Sequence, residues 1–417
     1  MMNMVEKTMQ RELNDFIREV KKESIKYGKS AMSKARVKIS PELFVDLNEG
    51  MIEDIYSDKE DVKLHYGFRI SGVDGSTLAL PNMDILKDKQ QSEDLKEIYG
   101  KGKNQKGEYA TTPRISIMYD LENKFVLDGI LSSIHSSEGF MAIEHIDKLL
   151  ILKKKVKESY KDLLIYDRGY PSMGLIKYHY KHGLDFLMRV NKKSFKAVVE
   201  FKRSKKVDEI IEIEVTRGIL NNLSKEKQHP NLKALIKELK IGDKVKIRAV
   251  KVILKNGTVE VLLTSLLSQK DYKTEIFQEL YFKRWGVEIA YDVLKNLFNL
   301  ENFTGLTQIA INQDFYATIL TNNICSLIMN DVMEEKVSLY NQSKERKYLY
   351  QLNKSFSIGC MKNSLVLMLQ KNVREEKIYQ MIEDEILGNL LPIKPDRSFK
   401  RKKHSSTKFP VSKKAGF

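Results

Sequence analysis

Four residues within EIFQELYFKRWGVEIAYDVLKNLFNL (275–300), Tyr281, Arg284, Glu288 and Lys295, stand at offsets of 0, 3, 7 and 14. At about 100° per residue they share roughly a 60° arc of an α-helix, stacked over about 21 Å. One carboxylate is thereby flanked by two cations and a phenol, a set suited to chemistry. The plain alternative is a solvated helix face with an Arg284–Glu288 pair at i, i+4, worth only about 0.2–0.5 kcal/mol. A second stripe, Ile276, Leu280, Val287, Tyr291, Leu294 and Phe298, predicts that the same helix packs against a core.

Two acids upstream stand where strands should end. HYGFRISGVDGSTLAL (65–80) is rich in strand formers and carries Asp74–Gly75, either a turn or a carboxylate at the rim of a sheet. DLLIY (162–166) is a short apolar strand that runs into Asp167, Arg168, Gly169, Tyr170, Pro171 and Ser172. Ligands and reactive groups gather at such strand ends in α/β proteins. Asp167 could equally be a mere neighbour of the helix beginning near Pro171.

The elements that must position these residues follow from pattern. PRISIMYD (113–120) and KFVLDGILSS (124–133) predict an antiparallel hairpin, 138–160 a helix, and LDFLMRV (184–190) another strand. The segment 191–267 reads as a mainly β insertion with a hairpin around Asn256–Gly257. A buried helix is expected over 310–333 and further helices over 338–390, with no clean heptad seam.

A chain of 417 residues predicts two or three domains, and 42% hydrophobic residues suffice for a sizeable core. A net charge of +16 argues for a polyanionic partner. No apolar run approaches the ~18 residues of a membrane span, and the N-terminus has no apolar leader core. The expectation is a soluble cytoplasmic protein without a membrane partner. Cys325 and Cys360 form neither a disulfide framework nor a Cys-rich zinc site, and His179 and His182 lack an HExxH context.

Residues 1–60 read as a small helical domain, with Ser40–Pro41–Glu42 as a helix start. Its cations Arg18, Lys21, Lys22, Lys26, Lys29, Lys34, Arg36 and Lys38 form either a solvated face or a grip on phosphates. Gly100–Thr112 is a Gly/Lys-rich loop, and the basic tail 394–417 is expected to be disordered when free.

The set Tyr-x2-Arg-x3-Glu-x6-Lys resembles the signature of the insertion-sequence-four family of DDE transposases. SGVDGSTL and YDRGYPS agree strongly with that family, PRISIMYD, LDFLMRV and AMSKARVKISPELFVDLNE more weakly, so the resemblance spans Arg36 to Leu306. It implies an α/β fold: a ribonuclease-H-like catalytic core over 61–335 with the insertion before the last acidic helix. The core would be flanked by a helical DNA-binding region (1–60) and a helical C-terminal region (336–393) able to pair two copies. Asp74, Asp167 and Glu288 become the catalytic acids and the ligands of two Mg²⁺ (or Mn²⁺) ions. Three carboxylates at one sheet edge repel unless cations neutralise them, and oxygen-ligated Mg²⁺ suits both that task and phosphoryl transfer. Tyr281, Arg284 and Lys295, with Arg168, would contact phosphates. The implied partners are double-stranded DNA, as transposon ends and target, and a second copy of the chain. The implied reaction is cut-and-paste transposition through a hairpin. One departure is that the only Trp, Trp285, lies inside the helix motif and not in the insertion. A related nuclease or resolvase, or a silent DNA-binding derivative, are the rival readings.

Overall fold

A computed structural model of the chain describes residues 9–18, 27–60, 62–80, 89–103, 109–156, 159–191, 195–225, 230–254, 257–343, 346–368 and 375–395. Lys21, Lys22, Lys26, Asn256, the centre of the Gly/Lys-rich loop and the tail beyond 395 lie outside the described residues. The chain divides into two compact units. One gathers Met1–Asn48, Leu78–Pro113 and Asp292–Phe417; the other gathers Glu49–Thr77 and Arg114–Tyr291.

The second unit is mixed α/β. Among the described residues its sheet has eight strands: β1 (Phe68–Thr77), β2 (Arg114–Asp120), β3 (Val126–Ser132), β4 (Lys161–Tyr166), β5 (Asp185–Arg189), β6 (Asp208–Glu214), β7 (Lys244–Ile253) and β8 (Val259–Thr264). Their spatial order is β3-β2-β1-β4-β5-β8-β7-β6. Only the central pairs β1·β4 and β4·β5 are parallel; the others are antiparallel. The central strands are buried residue after residue, Phe68–Val73 in β1 and Asp162–Tyr166 in β4, as expected of a sheet covered on both faces. At the edge, β6 (DEIIEIE) turns Ile211 and Ile213 inward and its Glu neighbours outward, the period-2 pattern of a half-buried strand.

Two helices follow their sequence signals closely. Glu138–Lys155 begins at Ser137, whose hydroxyl accepts from the Phe140 amide at 3.1 Å, and ends on Lys153, Lys154 and Lys155. Met173–His182 begins at Ser172, which caps Leu175, and stops at Gly183 in the left-handed region at φ 62°. On this helix His179 is a satisfied core histidine between Tyr166 and the Leu184 carbonyl. Burial pulls its pKa down to about 3, so it stays neutral.

Two expectations need correction. The segment 191–267 is not mainly β: it also holds the helices Lys196–Arg203, Arg217–Lys225 and Pro230–Glu238. Its strands β6, β7 and β8 extend the central sheet, and Leu223 and Leu232 pack their helices over Gly174. Nor is 275–300 one continuous α-helix. It runs Ile276–Lys283, tightens at Arg284 through i→i−3 bonds, resumes over Trp285–Asp292 and widens to a π-helix over Val293–Leu297. Leu280, Val287, Tyr291, Leu294 and Phe298 are buried as the stripe predicts, but Phe277, not Ile276, takes the first core position.

In the first unit, Arg36 lies on neither of the exposed faces, solvated or phosphate-gripping, that the sequence allowed it. It is 4% exposed and spends its donors on Gln313, Thr304, the Ala310 carbonyl and Asp314. Gln313 returns bonds to the Arg36 and Ile39 carbonyls, and Asn323 bonds to Asn48. The N-terminal segment is therefore fastened to the long helix Gln308–Asp331 by buried polar side chains. Ile328, Val332, Val337, Ile358, Met361, Ile378, Ile382 and Ile386 form the apolar core of the C-terminal helices.

Candidate active site

The parallel register of β1 and β4 ends at Val73↔Tyr166, so Asp74 and Asp167 are the next residues on adjacent strands. Asp74 lies inside β1, opposite Ile117 of β2, which removes the turn reading of Asp74–Gly75. The backbone carbonyl of Asp74 accepts from the Tyr291 hydroxyl at 2.7 Å and from Ser116 Oγ at 3.2 Å. Ser116 is in turn held by the buried His145, which pairs with Asp128.

Glu288 approaches from the helix Trp285–Asp292, which lies hard against the sheet. A Cβ on Gly72 of β1 would stand 2.3 Å from Val287 Cγ2, and one on Gly286 would stand 2.8 Å from Leu121. Only glycine permits this approach, and the approach fixes the residue after Val287.

Arg284 joins the acids. Its guanidinium, 4% exposed, donates from Nη2 to Glu288 Oε1 at 2.9 Å and holds Nη1 3.9 Å from Asp74 Oδ2. Its charge also acts on Asp167. The guanidinium lies over the Tyr281 and Trp285 rings, and its Nε finds no hydrogen-bond partner among the described residues. Asp167 accepts from Arg189 through Nε at 2.9 Å and Nη2 at 2.7 Å, and from the Tyr281 hydroxyl at 3.1 Å.

The two aspartates are driven in opposite directions. Burial is the largest influence on Asp74 and raises its pKa to about 6; the Gly75 amide and Arg284 oppose it, and the charges of Asp167 and Glu138 add to it. Burial also pushes Asp167 up, but the Arg168 amide, Arg284, Arg189 and Tyr281 together bring it below the ordinary carboxylate value. One acid of the pair is thus ready to ionise fully and the other resists it.

The four signature residues do not all meet in this unit. Tyr281, Arg284 and Glu288 converge on the aspartates, with Tyr281 and Arg284 buried among them and turned away from solvent. Arg168 is exposed beside Asp167. Lys295 lies on the π-helical segment, belongs to the first unit and stands 3.9 Å from Glu301. The α-helical spacing that the sequence assumed through Lys295 is a π-helical turn there.

Sequence reasoning missed Arg189, Tyr291, Tyr170 and Glu138. Arg189 was legible as the charged end of the apolar LDFLMRV run. Burial, followed by the charges of Asp74 and Glu138, pushes the Tyr170 phenol well above its ordinary value.

The donor chemistry suits a hard divalent cation, since carboxylate oxygens are the ligands such ions take. Among the described residues, no three His, Cys, Asp or Glu side chains stand close enough to hold an ion as placed. Arg284 and Arg189 provide the positive charge among them.

Acids from the end of a parallel strand pair and from a helix laid on the sheet thus converge on one buried guanidinium. Residues 66–324 match the family model described as Transposase DDE domain, and the chain belongs to that family. No curated protein matches it. Among solved structures it is similar to a piggyBac transposase, in a cryo-EM synaptic complex with hairpin DNA. The TM-score is 0.41 and the identity 12%, and the match covers 76% of this chain and 57% of that one. The chain thus spans a little over half the length of that structure. Among the described residues no helix is long and apolar enough to cross a membrane.

Proposed function

We propose that the protein carries out metal-dependent cut-and-paste DNA transposition, with Asp74, Asp167 and Glu288 as its catalytic acids and a ribonuclease-H-like core carrying them. The observation behind this reading is the convergence of three acids from β1, β4 and the Trp285–Asp292 helix around one buried guanidinium, within the matched transposase segment. The Tyr-x2-Arg-x3-Glu-x6-Lys set is the feature that supports membership of the insertion-sequence-four group.

Asp74, Asp167 and Glu288 would hold Mg²⁺ or Mn²⁺, two ions in all. When bound, such ions activate the attacking oxygen and neutralise the leaving one at phosphorus. The chain's own residues set the geometry. Arg189 and Tyr281 fix the Asp167 carboxylate, Tyr291 and Ser116 fix the backbone of Asp74, and the Gly72–Val287 contact fixes the helix of Glu288. Arg168, exposed beside Asp167, is assigned to a DNA phosphate, as are Arg284, Tyr281 and Lys295 once DNA is present.

Each step exchanges one P–O bond for another. Water nicks the element's end, the freed 3′-OH attacks the opposite strand to close a hairpin, water reopens it, and the 3′-OH joins target DNA. Two copies act together, each binding one end.

The test is Mg²⁺-dependent cleavage of a duplex bearing the inverted repeat beside the gene, read on a denaturing gel with Glu288→Gln as control. A nick followed by a hairpin-sized product, absent in the variant, is expected. An enzyme that binds the end but never cuts it under Mg²⁺ or Mn²⁺ overturns the catalytic reading; a nick without a hairpin favours a nuclease.

A further inference from the structure

Asp74 stands where β1 loses support. The parallel pairing with β4 ends at Val73, so from Asp74 onward only β2 pairs with the strand, and the next residue is Gly75, which stiffens a chain least. The neighbouring glycines show which face is which. Gly72 lies against Val287 and Gly75 against Glu138, and side chains alternate along a strand. The Asp74 carboxylate therefore shares the face of the Trp285–Asp292 helix, and the Glu138–Lys155 helix covers the opposite face.

On that opposite face a column of hydrogen bonds ends at Asp74. Asp128 Oδ2 stands 2.6 Å from His145 Nδ1, His145 Nε2 stands 2.9 Å from Ser116 Oγ, and Ser116 Oγ donates to the Asp74 carbonyl at 3.2 Å. The Ser116 hydroxyl has one proton to give. Giving it to Asp74 leaves the oxygen to accept from Nε2, and the proton of the 2.6 Å contact is shared between Nδ1 and Asp128. The order Asp–His–Ser is that of a hydrolytic triad, but Ser116 and His145 are wholly buried and no substrate reaches the hydroxyl. The Tyr291 hydroxyl meets the same carbonyl at 2.7 Å, from the helix that carries Glu288. One peptide oxygen is thus held from both faces of the sheet.

We propose that His145, held by Asp128, is a positioning residue for the active centre. Acting through Ser116, it sets the Asp74 peptide opposite Tyr291 and so fixes where the Asp74 carboxylate stands relative to Glu288. The proposal rests on the reading that Asp74 holds a divalent cation.

The test is single-turnover cleavage of a bound duplex end as Mn²⁺ is varied, with end affinity read by gel shift without metal. Ser116→Ala and His145→Leu should each raise the Mn²⁺ needed for half-maximal rate by about tenfold to a hundredfold and leave end affinity as in the parent. His145→Gln can still donate to Ser116 from its amide and should lie nearer the parent than His145→Leu. A role in core packing alone ranks these two the other way, since leucine suits a buried site better than a poorly partnered amide, and that ranking overturns the proposal. Should both His145 variants fail to fold, Ser116→Ala decides alone: it removes a single oxygen, and a raised Mn²⁺ requirement supports the column while a parent-like one refutes it. A parent chain without metal-dependent cleavage overturns the cation reading and this proposal together. A cutting parent with an indifferent Ser116→Ala overturns this proposal only.

Discussion

Arg284 and Glu288, one helical turn apart, are joined at 2.9 Å by a guanidinium that is almost wholly buried and whose other amino group stands 3.9 Å from Asp74. An exposed i, i+4 pair contributes a few tenths of a kcal/mol. This one instead holds two acids near a third and supplies the positive charge that lets them share a sheet edge.

Conservative neutralisation of the acids should separate chemistry from binding. Asp74→Asn, Asp167→Asn and Glu288→Gln should each lower end cleavage by at least about a hundredfold while a gel-shift assay still finds the end bound. Equal loss of binding in all three would mark a scaffold role.

Asp74→Asn should also stabilise the fold at neutral pH. Its pKa is raised to about 6, so the folded chain favours the protonated acid. That contribution is full below the unfolded value near 3.8 and is lost as pH rises through about 6. The variant escapes the loss and should gain up to ~3 kcal/mol at pH 8, shrinking toward zero near pH 4. Urea unfolding across that range reads the difference; a variant less stable than the parent at pH 8 contradicts it.

Arg189→Gln removes two donors from Asp167. Because Arg189 helps keep that carboxyl below its ordinary value, the acid limb of the cleavage-rate profile should move to higher pH. An unmoved limb would mean that Asp167 is not the group titrating there.

Gly72→Ala places a methyl 2.3 Å from Val287 Cγ2 and must lift the helix from β1. The cost should be about 1–3 kcal/mol, with cleavage falling further than end binding. Adding Val287→Ala should restore part of both, and a double-mutant cycle showing no coupling would refute the contact.

Arg284→Ala and Lys295→Ala should weaken end binding, and each should reduce the slope of binding against salt by about one unit. An unchanged slope removes that residue from the DNA contacts.

The strands that carry Asp74 and lead to Asp167 were legible because an apolar run precedes each Asp, and burial on both faces makes such runs unbroken. Arg284–Glu288 was legible as a spacing. The π-helical turn that carries Lys295 was not legible, since such a turn leaves no mark in residue type. Arg36 looked like any surface cation; its burial depends on Thr304, Gln313 and Asp314, far along the sequence. Glu138 carried only the signature of a helix start, and its closeness to Gly75 and Gly169 comes from chain crossings that no local pattern records. The helices of 196–238 were hidden by their high charge and short length.

The interleaved division of the chain bears on how it is made. The unit that carries the acids is complete once Tyr291 has been synthesised, whereas Arg36 must wait for Asp314. At ~5–20 residues per second that wait lasts roughly 15–55 s. The N-terminal segment therefore emerges from the ribosome long before its buried partners and is the part most open to chaperones and proteases during that interval. Ribosome-bound chains stalled at 300 should be cut by protease within 27–40, and chains stalled well beyond 331 should resist there; equal resistance in both would refute this order of assembly.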